Sequence, residues 1–209
     1  MHARPRFSFV LVIVVFALML AALGAAAADG PVKAGAGDGA QLPSTISLNV
    51  PPMGGSFSEG FDDITTLPGM GWAFQNNSSP LGLTDWFQGN DTVFPAQAGA
   101  PTSYIGANFN NTSGIGTISN WMLTPAVTLE AGDTIKFWTS TAAGSIWPDR
   151  LEVRMSLNGT STNVGATATS VGDFTTVLAE VNPGLVAGGY PETWTEYTIT
   201  LTPAQVPAP

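Results

Sequence analysis

Asp149-Arg150-Leu151-Glu152-Val153-Arg154-Met155-Ser156 decides the fold class. Leu151, Val153 and Met155 alternate with Glu152, Arg154 and Ser156. Successive side chains of an extended chain point to opposite faces, so this period of two predicts a strand with one apolar face. In this reading Glu152 pairs with Arg150 or Arg154 on a solvent face. The same pattern recurs outward in both directions. Trp72 and Phe74 alternate, as do Ser119, Trp121 and Leu123 before the stop at Pro125. Ser103, Ile105, Ala107 and Phe109 share a face, Ile135 and Phe137 share one within Thr134–Thr139, and Thr195, Tyr197, Ile199 and Leu201 close the series. Short strands rich in β-branched and aromatic residues, separated by Gly, Pro, Asn and Asp, predict an all-β sandwich or jelly roll. One segment conflicts. Phe174, Val177, Leu178 and Val181 have helical spacing, yet the run is short and carries Thr175 and Thr176, so strand and helix both stay open.

Composition bounds the chemistry. The chain has 209 residues, 24 Gly and 16 Pro, no Cys, and one His, His2. Disulfides, thiol nucleophiles and Cys-based zinc sites are excluded. His2, Arg4 and Arg6 precede an apolar run from Phe7 to Leu23, and Ala26 and Ala28 fit a small-residue cleavage site before Asp29. Residues 1–28 therefore read as a secretory signal peptide; an uncleaved anchor would normally be longer and flanked by charged or aromatic residues. Cleavage removes the imidazole, and with it Ser-His-Asp catalysis and His-ligated metals. Four basic residues then face 15 acidic ones, a net charge of −11. Such a chain has no electrostatic footprint for nucleic acid or anionic lipid, and none for membrane insertion once the signal is gone.

Residues 29–55 are rich in Gly and Pro and have no aromatic residue. They bury too little to offset their ordering entropy and read as a flexible linker. Within them, alternating Ile46, Leu48 and Val50 make Ser44–Val50 a candidate docking strand. All six Trp, all three Tyr and eight of eleven Phe lie in 56–209, which reads as one domain.

Several motifs resemble the choice-of-anchor J domain, a family related to the cleaved-adhesin domain with a MAM-like jelly roll. They are Ser56-Phe57-Ser58-Glu59-Gly60-Phe61-Asp62-Asp63, Leu67-Pro68-Gly69-Met70-Gly71-Trp72, Ser119–Pro125, Thr134–Trp138, Asp149–Arg154, Val171–Thr175 and Tyr190–Trp194, in that order. The resemblance implies a non-catalytic extracellular module, exported by a bacterium to its surface or surroundings, and a strand at Phe174–Val181. Such domains continue with an Arg-containing strand, a Gly/Asn-rich loop and a last strand, where this sequence has Val206-Pro207-Ala208-Pro209. The domain therefore reads as truncated, with unpaired edges and an uncovered core expected.

Candidate site residues follow. A regular strand over Phe57–Phe61 would aim Glu59 to the same side as two Phe, where a carboxylate needs a cation or donors. Glu59 and Asp62 are hard oxygen ligands of the kind calcium takes, and the resemblance implies a structural Ca²⁺ in jelly rolls of this type. The alternative is a bulge at Gly60 that turns Glu59 to water. Trp86, within Asp85–Asp91, and Trp147, within Ser145–Asp149, are candidates for a glycan-stacking face beside polar groups; the competing reading places Trp86 or Phe87 in the core. Asp149 and Glu152 are the carboxylate pair to weigh for glycoside hydrolysis, although Glu152 has Arg neighbours. Three functions are thus in play: a non-catalytic surface module binding a glycan or protein, a carbohydrate-binding module or carbohydrate-active enzyme, and a purely structural domain.

Overall fold

Antiparallel pairing dominates the computed structural model, which describes residues 10–18 and 58–206. The linker, Phe57 and the cleavage junction at Ala28 lie outside the described residues. Among the described residues ten strands run in chain order: β1 (Val10–Leu18), β2 (Ala73–Asn76), β3 (Ser79–Leu81), β4 (Phe87–Gln88), β5 (Ile105–Gly106), β6 (Thr112–Leu123), β7 (Thr134–Thr139), β8 (Asp149–Ser156), β9 (Thr176–Val181) and β10 (Thr195–Thr200). A 3-10 helix, Ile64–Met70, precedes β2. The class is all-β. No helix among the described residues is long and apolar enough to cross a membrane.

The main sheet has the order β2-β6-β1-β8-β9, with β3 also pairing β6. Its central strand, β1, comes from the apolar run read above as an export signal. β1 pairs antiparallel with Thr117–Leu123 of β6 and with Asp149–Ser156 of β8. Opposed residues of an antiparallel ladder project to the same face. Trp121 and Glu152 both oppose Val14, so they share one face, while Met122 and Val153 both oppose Ile13 and share the other.

The Val153 face carries the larger core. Leu151, Val153, Met155 and Val181 pack against Tyr190, Ile199, Leu201 and Val206, with Ile135, Phe137 and Tyr197 at its margin. The last three belong to the two-stranded ribbon of β7 and β10, which forms the second layer. Stacked Phe137 and Tyr197 rings, 5.3 Å apart, lie on directly opposed residues of that ribbon. The Trp121 face is covered by the loop between β8 and β9. Phe174 and Val164 close over Trp121 and Leu123, and the Trp121 and Phe174 ring centres are 5.9 Å apart.

That loop corrects the reading of Glu152. The alternation assigned its face correctly, but the face is not solvent: Glu152 is only 2% exposed. Its carboxylate binds Arg150 at 3.2 Å and Arg154 at 2.5 Å, and Arg154 Nη1 also donates to the Phe174 carbonyl. A buried carboxylate is tolerable only with such compensation.

One further expectation changes, and the segment left open between strand and helix is the strand that the resemblance implies. Ser103–Phe109 is not one strand: only Ile105–Gly106 pairs, and Phe109–Asn111 forms a 3-10 turn that leaves Phe109 exposed. Asn108 starts this turn by accepting the Asn110 N–H, while Asn111 accepts the Asn108 N–H, a reciprocal cap that ends the extended chain. Thr176–Val181 is a strand on β8, with Phe174 just before it as a buried plug. The helical spacing there was incidental, because Phe174 is buried on the opposite side of the sheet from Val181.

Candidate ligand-binding groove

Outward-facing residues of the β7/β10 ribbon form one wall of a groove. Ile135 and Phe137 turn to the core, so Lys136 and Trp138 turn out, and Trp138 is 43% exposed. Glu196 lies directly across from Trp138 and holds Lys136 at 3.5 Å.

The opposite wall comes from the segment between β4 and β5. Asn90 organises it. Its side chain accepts the Thr92 N–H and hydroxyl, and its carbonyl accepts the Val93 N–H. The buried Tyr104 hydroxyl donates to the Asn90 carbonyl and accepts the Asn90 N–H, both at 2.8 Å. Gly89 is required here, since a Cβ would collide with the Tyr104 ring. Burial raises the Tyr104 hydroxyl pKa. Phe94 stacks on Tyr104 with centres 5.0 Å apart, and Trp194 meets both rings edge-on at 5.7 Å. The Trp194 indole N–H donates to the Pro95 carbonyl at 2.8 Å, locking this wall to the start of β10. Such edge and offset contacts each add about 0.5–1.5 kcal/mol beyond burial.

Between the walls lies an open groove of about 420 Å³ lined by Phe94, Pro95, Gln97, Trp138, Glu192 and Trp194. Its aromatic side chains come with an amide and a carboxylate in the same lining. That combination suits a ligand with apolar C–H faces and several hydroxyls.

The residues singled out from sequence sit elsewhere. Trp86 packs against the cluster of Leu67, Trp72 and Met122, as its core reading had it, and its indole N–H is buried without a partner. Trp147 is exposed in the β7–β8 connection and does not line the groove. Glu59 lies in neither a regular strand nor open water. Phe61 adopts φ of 56°, breaking the extended chain, and the half-buried Glu59 Oε1 accepts the Phe61 N–H at 2.7 Å. Asp62 is exposed and accepts the Ser103 hydroxyl at 2.6 Å. Among the described residues no group of three or more acidic, His or Cys side chains comes together. Asp149 and Glu152 point to opposite faces of β8. Asp149 is half-buried, and burial pushes its carboxyl up to about 6.

Sequence reasoning missed Trp194 and Phe94. The outward position of Trp138 was legible, because it follows from the inward pair Ile135 and Phe137. The partnership of Pro95 with Trp194 spans 99 residues and left no local signal. Comparison with known proteins returned no matching family model, curated protein or solved structure.

Proposed function

We propose that the chain is an exported, non-catalytic β-sandwich module of jelly-roll type, acting outside the cell as an adhesion or ligand-binding unit, with glycans as its ligands. The observation that carries this reading is the groove, which Trp138, Trp194 and Phe94 line together with Gln97 and Glu192. A pyranose would lay its C–H face on an indole and direct hydroxyls to the amide and carboxylate. The basic start, apolar run and small-residue cleavage site of residues 1–28 support export, and the ordered motifs similar to choice-of-anchor J domains support a surface role.

The competing enzyme reading needs two carboxylates across one cleft. Asp149 and Glu152 are divided by their own strand, and Glu152 is held by two guanidinium groups. That arrangement favours binding without turnover. A glycan array with a parallel hydrolysis assay tests the proposal. Glycan binding without turnover is expected, and Trp138→Ala should weaken it about tenfold or more while the melting temperature stays within a few degrees. Binding indifferent to both Trp138→Ala and Trp194→Ala would overturn the groove assignment. Turnover abolished by Asp149→Asn would overturn the non-catalytic one.

A further inference from the structure

The charge at the groove is one-sided. Among the described residues Glu192 is the one charged side chain in its lining, and it is exposed. Lys136 shares the outward face of β7 with Trp138, but Glu196, directly across from Trp138, holds it at 3.5 Å. That pair cancels. The Glu192 carboxylate has no ion-pair or hydrogen-bond partner among the described residues. Behind the opposite wall, Asp91 adds a negative charge close enough to act on the Tyr104 hydroxyl. The whole chain carries −9, so the local excess of acid is not offset from a distance. The aromatic lining works in the same sense, because ring faces are negative and attract cations. Trp138 is 43% exposed and open to a ligand, while Phe94 and Trp194 are half-buried.

We propose that the ligand of this groove carries an ammonium group: within the glycan reading given above, on which the inference rests, it is an amino sugar with a free amine. A sugar with hydroxyls only would cover Glu192 without supplying a cation, and a carboxylate withdrawn from water without a partner is costly. An N-acetylated sugar is neutral and has the same defect. A carboxylated or sulfated sugar would set like charges together, with no cation in the lining to meet it. A free amine, protonated at mildly acidic pH, meets the carboxylate with a charge-assisted hydrogen bond and the aromatic rings with a cation–π contact. The side chains of Gln97, Ser140 and Thr193 remain for its hydroxyls.

Titration calorimetry at low ionic strength and mildly acidic pH tests this with three oligosaccharides of equal length, built of glucosamine, of N-acetylglucosamine and of glucose. The glucosamine oligosaccharide should bind about tenfold more tightly than either of the others, the gain of one ion pair and one cation–π contact. Glu192→Gln should bring the three affinities within about twofold of one another. Glu192 is exposed, so the variant keeps its fold, which an unchanged melting temperature checks. Wild-type chain that binds the N-acetylated or glucose oligosaccharide as tightly as the glucosamine one overturns the ammonium inference and leaves the glycan reading standing. Binding to none of the three overturns the inference too, whereas the glycan reading falls only with a blank glycan array. A glucosamine preference that survives Glu192→Gln comes from the acidic surface at large and overturns the assignment to the groove.

Discussion

Replacing Asp149 by Asn should stabilise the protein at neutral pH and leave it unchanged near pH 4. Asp149 opens β8, and its main chain is engaged independently of its carboxyl: the N–H donates to the Trp147 carbonyl at 3.0 Å, and the carbonyl accepts from Asn182 Nδ2 at 2.8 Å. Burial raises the carboxyl from 3.8 to about 6 in the folded state. Between those values the folded chain binds more protons than the unfolded one, so stability falls as pH rises through this window and levels off above it. At about 1.4 kcal/mol per tenfold, the interval sets a ceiling near 3 kcal/mol. The group is only half-buried, and screening by solvent reduces this to about 1–2 kcal/mol. Asn is neutral at every pH and nearly isosteric, so it escapes the penalty. For a domain of this size the variant should melt several degrees higher at pH 7.5. Asp85, also raised by burial, tilts both proteins alike and cancels in the difference. Urea denaturation of both proteins from pH 4 to 8 is the assay. An equal difference at pH 4 and pH 7.5, or a variant less stable at pH 7.5, would refute the assignment of a desolvated carboxylate.

Glu152→Leu should cost about 3–5 kcal/mol, because Arg154 would keep only the Phe174 carbonyl; adding Arg154→Met should recover much of that loss in denaturant unfolding. Millimolar calcium should shift the melting temperature of this chain by no more than about 1–2 °C. A ligand at a hundredfold excess over its Kd would contribute about 2.7 kcal/mol and several degrees, so a shift of that size lost in Glu59→Gln would establish the cage after all. Tyr104→Phe removes the hydroxyl that both donates to and accepts from Asn90, so glycan affinity should fall several-fold as the Phe94 wall loosens, an effect visible in titration calorimetry.

What was legible in the sequence was the direction of side chains, not what lies over them. Leu151, Val153 and Met155 announce a core face without reference to any other segment, and they are buried as the alternation implies. The same alternation put Glu152 on the opposite face correctly and then failed, because the loop that covers it is irregular and its anchor, Phe174, lies 22 positions away. The orientation argued for Glu59 changes for a local reason: Phe61 is left-handed, and residues 58–61 form no regular strand. The groove divides along the same line. Trp138 follows from its neighbours on β7, whereas Phe94 and Trp194 meet only after β10 has paired with β7 and Tyr104 has been pinned by Asn90. Non-local contact also explains the central strand. The run Val10–Leu18 has the composition of an export signal and of a strand buried on both faces, because each demands an uncharged, apolar segment. Nothing in its own residues separates the two roles. Its place in the sheet is set by β6 and β8, distant segments that each pair antiparallel with it.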